Sequence, residues 1–492
     1  MADGKYNIKW DGLLIIGHSA MLVVFGLLRL VDGDEGIYLS AAREVSHGLI
    51  PYIDFFYPQM PYLPYLFSLF SGWGFASLIL TRLLSVLAGV LTILLFYVIL
   101  RRICKDPMMT TFLLMLYTFS GLIVFFHPLA KPFVWANLFL LASFYFISRA
   151  SDSYDWKIIA MAGVAAALAV NMRLTVAPAA VLFLVYLLWN KSAGGLRSGL
   201  IYFAALLMTS LPAIFILIRD RERFLFDNIG FHFIRNPLAD QMQSLIHRLI
   251  TMAKMLINPQ ILILLILTLL IGIALYRNRH RISESEPALR IQYGAAVTAI
   301  VLVVVHLLPD PVHQQYFVQA VPFVLLAAPA GLNLLTDGPD DSKERLNVLP
   351  KLVSAIYLLA LMPYIVIFVG GVRRVDGYMT MSNIRDIAAY LSRVPGDDPI
   401  LSERALIPVL AGKPACRGME FIGWDYPFEM TPERKEYYHL ATNHRINEIL
   451  EKREASHLVA INHIDEPVAQ TALANYEFDT SFGAFQVYRR ID

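Results

Sequence analysis

The chain has 492 residues, 57% of them hydrophobic and only 16% charged, and its mean hydropathy is +0.56; soluble domains carry about 25% charged residues, so this is the composition of a polytopic membrane protein. The net charge of +2 comes from basic residues scattered among apolar runs, with no dense patch to suit a nucleic acid. The two cysteines, Cys104 and Cys416, fall in regions expected on opposite sides of the membrane, which argues against a disulfide framework and a thiol metal site.

The first apolar run, Leu13 to Leu30, follows Lys5 and Lys9 and lacks a small-residue cleavage site, so it reads as an uncleaved signal anchor. His18 within it is expected to be a packed interior histidine. Apolar runs of about 20 residues, the length that spans roughly 30 Å of hydrocarbon, recur up to Gly371. They are placed near 13–30, 75–100, 108–126, 132–148, 158–171, 175–190, 198–218, 260–276, 291–308, 316–335 and 350–371, about eleven spans in all. Basic residues fall in alternate loops: Arg101, Arg102 and Lys105; Arg149 and Lys157; Lys191 and Arg197; Arg277, Arg279 and Arg281; Lys343 and Arg345. By the positive-inside rule those loops and the N-terminus are cytoplasmic. The mixed-sign cluster Arg219 to Arg223 lies in a long loop and weighs little against them.

This topology divides the chain into a membrane domain, 1–371, with outer loops at 31–74 and 219–259, and an extracytoplasmic α/β domain, 372–492. In the second outer loop, Met242, Leu245, Ile246, Leu249 and Ile250 recur at helical spacing, as in an amphipathic helix on the membrane face. In the tail, Ser382 is expected to cap a helix that buries Ile384, Ile387, Ala388 and Leu391. Strands are expected near Ile400, at Leu458–Ile461 and within Phe478–Arg489, and a helix from Thr431-Pro432.

The chemistry concentrates directly after the first span, where Asp32, Asp34 and Glu35 stand within four residues. An Asp34 N-cap on a helix that stops at Gly48 accounts for one acid. Two further charges at the mouth of a membrane bundle are expensive, which points to function. A partly desolvated carboxylate there suits a general base. The segment that follows holds Asp54 and Tyr57 and four prolines, Pro51, Pro58, Pro61 and Pro64, which stiffen it as the wall of a groove or as a re-entry to the next span.

Asp34-Glu-Gly-Ile-Tyr38, Ala42-Arg-Glu44, Pro51-Tyr-Ile-Asp54 and the proline-rich approach to the second span resemble the first outer loop of the GT-C glycosyltransferases. The likeness is to protein O-mannosyltransferases and lipid A aminoarabinose transferases, and it extends to Thr81–Ile93 and to His313-Gln-Gln-Tyr-Phe-Val-Gln-Ala-Val-Pro322. The resemblance implies an α-helical GT-C-like bundle that moves a sugar from a polyprenyl-phosphate carrier to an acceptor hydroxyl of a lipid, glycan or protein outside the membrane. It also implies Asp34 as base with inversion at the sugar, Glu35 orienting neighbouring groups, and a bacterial plasma-membrane location. A phosphate leaves as a stabilised anion and needs no general acid, unlike the leaving groups of two-carboxylate glycosidases.

The leaving phosphate wants cations or donors. Candidates with Asp32 in the substrate site are Arg43, Asp54, Tyr57, Lys131, Arg173, His313 and Tyr316, with Arg235 as a further cation. Lys131 and Arg173 stand out because they interrupt tight outer turns, where the positive-inside rule gives no reason for a cation. The chain departs from the family where a lysine is expected before the paired prolines, since Gln59-Met60 stands there, and where many relatives carry an acid and this chain has Ala130-Lys131. Gly423-Trp-Asp-Tyr-Pro427 resembles part of an oligosaccharyltransferase signature and is read as a surface turn. No cofactor is firmly implied; a divalent metal on Asp32, Asp34 and Glu35 is compatible with the residue types, though no cluster has metal-ligand spacing. A transporter or flippase of lipid-linked glycans is the alternative, disfavoured by the lack of internal repeats and of Gly/Pro-broken helices at matching places in two halves. A sensor is disfavoured by the short cytoplasmic loops.

Overall fold

The computed structural model describes residues 4–104, 106–150, 154–234, 246, 249–254, 257–278, 287–309, 312–336, 353–373, 379–421, 430–462, 464 and 468–491. Every stretch expected to span the membrane carries helix. With no water in hydrocarbon, a single spanning segment satisfies its backbone only by bonding within itself. In chain order the membrane part runs α1 (Gly4–Leu28), α2 (Gly33–Ser46), α3 (Tyr62–Phe67), α4 (Phe75–Ile103), α5 (Pro107–Thr118), α6 (Gly121–Phe126), α7 (Phe133–Ala150), α8 (Trp156–Met172), α9 (Ala177–Trp189), α10 (Leu196–Thr209) and α11 (Leu211–Arg219). Helices Pro259–Asn278, Pro287–His306, Val321–Thr336 and Met362–Arg373 follow. Among the described residues five helices are long and apolar enough to cross a membrane, and the bent pair α10–α11 makes a sixth. The other five expected stretches hold shorter apolar helices.

Two expected spans are broken helices. The 108–126 stretch stops after Thr118 and restarts at Gly121, whose backbone N–H donates to Gln260 Oε1 at 2.7 Å. The Tyr364 ring lies against it so closely that a Cβ on Gly121 would stand 2.1 Å from a ring carbon. The 198–218 stretch bends by 60° between α10 and α11, where Pro212 opens the second segment and has no N–H to continue the first.

Small residues set the closest approaches. A Cβ on Gly163 in α8 would lie 2.3 Å from the backbone oxygen of Tyr202 in α10, a distance no side chain can relieve. Small residues at helix contacts in membranes serve this purpose. Gly163→Ala is therefore expected to destabilise by about 1–3 kcal/mol through overpacking, more than the roughly 1 kcal/mol that alanine returns in helix propensity. A thermal melt in detergent checks it.

The segments that follow α1 and α11 pack against each other. Asp32, not Asp34, is the N-cap of α2: its side chain accepts from the Asp34 backbone N–H at 3.1 Å, while Glu35 accepts from the Asp32 N–H at 2.9 Å, a complete capping box. The helix ends before Gly48, which takes φ of 87°. In the loop that follows, Tyr52 adopts φ of 71° and is fully buried, its hydroxyl donating to Gln59 O at 2.6 Å. The helical turns α12 (Arg221–Leu225) and α13 (Phe231–Ile234) hold this loop. Arg223 donates to Ile53 O at 3.2 Å, and Asp227 accepts from the Tyr57 N–H at 2.9 Å. Of the expected amphipathic face, Ile246, Leu249 and Ile250 are exposed; Met242 and Leu245 lie outside the described residues, as do Arg235 and 423–427.

The tail forms a four-stranded sheet, β1 (Ile400–Ser402), β2 (His457–Ile461), β3 (Tyr476–Phe482) and β4 (Phe485–Arg490), in the order β1-β2-β4-β3. β1 and β2 are parallel and the other pairs antiparallel. Thr380, two residues ahead of Ser382, caps the helix Met381–Ser392, since its hydroxyl accepts from the Asn383 N–H. Ile384, Ile387, Ala388 and Leu391 are buried as their spacing predicts. They share one core with Val31, Leu39 and Leu78 of the membrane part and with Leu406 and Leu410 of the tail. The tail thereby packs directly on α2, where Leu406 backbone sits 3.1 Å from the place a Gly36 Cβ would take.

Candidate active site

α2 begins at the mouth of the bundle with its orphan N–H groups and positive dipole end facing the acids. Across from it, the turn between α6 and α7 delivers Lys131. The Ala130 N–H donates to Glu35 Oε1 at 2.9 Å, which ties this turn to α2. Lys131 Nζ lies 2.6 Å from Asp32 Oδ1, 2.9 Å from Asp34 Oδ2 and 3.3 Å from Gln315 Oε1. The Lys131 side chain is 1% exposed, that of Asp32 20% and that of Asp34 46%. Asp34 is thus the member of the triplet that faces open space.

The charges explain one another. Burial by itself would lower the Lys131 pKa, but Asp34 and Asp32 outweigh it and hold the ammonium above its ordinary value. Burial would likewise raise the Asp32 carboxyl, and Lys131 and then Arg29 bring it below the usual carboxylate range. Arg29 Nη2 is 3.7 Å from Asp32 Oδ2, and its guanidinium sits 3.6 Å over the Phe125 ring.

Glu35 faces away from the opening. It is fully buried in a fork-to-fork pair with Arg82 of α4, Nε to Oε1 at 2.8 Å and Nη2 to Oε2 at 2.5 Å. Arg82 also donates Nη1 to Gly26 O and Arg29 O and Nη2 to Leu30 O, at 2.9 to 3.2 Å. These are carbonyls at the end of α1, which a terminating helix leaves without partners. One buried guanidinium therefore joins α1, α2 and α4 and sets where the acid helix starts.

On the other side of the opening, Arg173 follows α8 in an extended conformation and is 5% exposed. Its guanidinium lies 4.4 Å from the Phe133 ring centroid and 5.1 Å from that of Tyr316, and Nε donates to Thr175 Oγ1 at 3.0 Å. His313 is exposed with its ring 5.4 Å from Tyr316. Tyr38, one turn along α2 from Asp34, links the two sides. Its hydroxyl is pushed well up, first by burial and then by Asp34, with Arg173 opposing.

Asp32, Asp34 and Lys131 thus form one charged group, Arg173 stacks on Tyr316 beside His313, and Tyr38 interacts with both Asp34 and Arg173. Of the remaining expected residues, Arg43 and Asp54 lie apart. Arg43 is nine residues beyond Asp34 on α2, which places it about 13 Å along the axis and half a turn around, on the opposite face. Burial lowers its pKa, with Glu44 opposing. Asp54 is exposed and accepts from the Ile50 N–H at 2.8 Å within its own turn. Tyr57 is buried, with its ring 6.3 Å from that of Tyr38. Sequence reasoning passed over Arg82, Tyr38 and Gln315. Arg82 carried a legible signal, an arginine inside an apolar span, which calls for a buried partner.

The three clustered acids do not fit a metal. Lys131 lies between Asp32 and Asp34, and both Glu35 oxygens are taken by Arg82. No group of three or more metal-binding side chains occurs among the described residues.

An acid, a buried lysine and an aromatic-stacked arginine thus stand at one end of a bundle of apolar helices, against which a small α/β domain packs. Residues 58–217 match the model of the dolichyl-phosphate-mannose-protein mannosyltransferase family. The chain is similar over its whole length to the crystal structure of ArnT from Cupriavidus metallidurans bound to undecaprenyl phosphate, with 13% identity, 100% of this chain and 99% of that one covered, and a TM-score of 0.64. The apo state of the same ArnT matches at 13% identity, with the same coverage and a TM-score of 0.63. A partial match, 16% identical over 46% of this chain and 35% of that one with a TM-score of 0.35, is to the S. cerevisiae protein O-mannosyltransferase Pmt1-Pmt2 complex bound to the sugar donor. No curated protein matches in sequence. The protein has the GT-C glycosyltransferase fold, and the family match supports a membrane glycosyltransferase.

Proposed function

We propose that the protein moves a sugar from a polyprenyl-phosphate carrier to an acceptor hydroxyl on the outer face of the membrane, with inversion and with Asp34 as base. The observation that carries this reading is the half-exposed Asp34 held by the buried Lys131 at the mouth of the bundle. Lys131 occupies Oδ2, which leaves Oδ1 to accept the acceptor's proton. The acceptor oxygen then attacks the anomeric carbon from the face opposite the phosphate, the C–O bond to phosphate breaks, and the carrier departs as the phosphate anion. Arg173, aligned by Phe133, Tyr316 and Thr175, is the cation that receives that charge. Lys131 aligns Asp34, and the Glu35–Arg82 pair positions the helix that carries it.

The reading places the N-terminus in the cytoplasm of a bacterial cell and the 372–492 domain outside the plasma membrane. Helix geometry supports it: Arg101 and Arg102 lie about 28 Å along α4 from Arg82, at the face opposite the acids. ArnT, of the same fold, is bound to undecaprenyl phosphate in its crystal structure.

The test is mass-spectrometric detection of sugar joined to an acceptor when membranes holding the protein receive polyprenyl-phosphate-linked sugars. Carrier movement without any joined sugar would favour a flippase instead. Arg173→Gln is expected to lower kcat/KM for the donor about 10- to 100-fold, the loss of a charged hydrogen bond, and an unchanged kcat/KM would remove Arg173 from the donor site.

A further inference from the structure

The helices Pro259–Asn278 and Pro287–His306 leave a groove of about 550 Å³ between them. Its walls are Leu265, Thr268, Gly272, Ile300 and Val303, and it ends at Arg277. Thr268 and Gly272 stand one turn apart and form the floor of a notch between larger side chains. The Thr268 hydroxyl is already bonded to Leu264 O at 2.7 Å, so the groove offers a ligand little beyond apolar surface. A Cβ on Gly272 would touch only the Ile300 side chain, at 3.7 Å.

The groove is remote from the acid site. Gln260, at the other end of the same helix, bonds to Gly121 and Phe119 in the broken span that leads to Lys131. Arg277 lies 17 residues further on, about 26 Å along the axis and thus at the opposite membrane surface. From Leu265 to Arg277 the groove runs about 18 Å, close to one leaflet of a hydrocarbon core roughly 30 Å thick. Its deep end is apolar and its surface end carries the exposed Arg277.

We infer that this groove binds an anionic phospholipid of the leaflet opposite the acid site, one acyl chain lying over Thr268 and Gly272 and the phosphate meeting Arg277. An apolar channel one leaflet long complements an acyl chain, and a cation at headgroup depth complements a phosphate with no neutralising ammonium of its own. A zwitterionic lipid fits the channel and forfeits the charge match.

Native mass spectrometry of the purified full chain, with phosphatidylglycerol or phosphatidylcholine of the same acyl chains added, tests it. The wild type is expected to retain phosphatidylglycerol at least about fivefold better, Arg277→Gln to lose about that factor and Arg277→Lys to keep it. Gly272→Phe fills the notch and is expected to abolish retention of both lipids. An unchanged thermal midpoint establishes that the variants are folded. Equal retention of the two lipids by the wild type, full retention of phosphatidylglycerol by Arg277→Gln, or full retention by Gly272→Phe each overturns the assignment.

Discussion

Asp34→Asn is expected to lower sugar transfer about 10²- to 10⁴-fold, the usual contribution of a positioned general base, while the protein stays folded. Asparagine keeps the shape of the side chain and an oxygen for Lys131, whose ammonium retains its 2.6 Å pair with Asp32. The loss belongs to kcat, because removing a proton acceptor leaves the contacts to the carrier in place. Near-normal turnover in a well-folded Asn variant would take the base role away from Asp34. The same substitution at Asp32, which is less exposed and already pulled down by Lys131 and Arg29, should act more through geometry than through proton transfer.

The second large effect is structural. Arg82→Met is expected to destabilise the fold by about 3–5 kcal/mol, because it leaves the fully buried Glu35 carboxylate without its counter-charge. It also removes the donors that close the end of α1. Changing both partners, Arg82→Met with Glu35→Gln, should recover part of the loss, since no buried charge then remains unpaired. Equilibrium unfolding in a mild detergent measures both, and equal stability of the single and double variants would show that the ion pair is not what fastens α2. Transfer should fall in both variants, because the acid helix loses its fixed starting point.

These effects show what was legible in the chain and what was not. The acids after the first span and the unexpected cations Lys131 and Arg173 could be picked out because each breaks a membrane rule, either the cost of charge at a bundle mouth or the positive-inside pattern. Their division of labour came from the family resemblance, and the residue types themselves do not supply it. Asp32, Asp34 and Glu35 are chemically near-equivalent on paper. The capping geometry makes Asp32 the cap, turns Glu35 inward to Arg82 and leaves Asp34 at the opening. Arg43, an equally good cation by composition, is carried to the wrong face by half a turn of helix.

Local hydropathy by itself determined the helical membrane class and the approximate place of helix within each expected span, because hydrocarbon obliges a single spanning segment to satisfy its backbone within itself. Capping and turn chemistry determined the helix start at Thr431, and strand-forming runs determined most of the tail's sheet. Tertiary structure decided the breaks at Gly121 and Pro212, the docking of the tail on α2 through Gly36, and the pairing of Lys131 with two acids almost a hundred residues away. Those features depend on charges and backbone surfaces that meet only when distant segments pack, and no periodicity along one segment encodes which partner arrives.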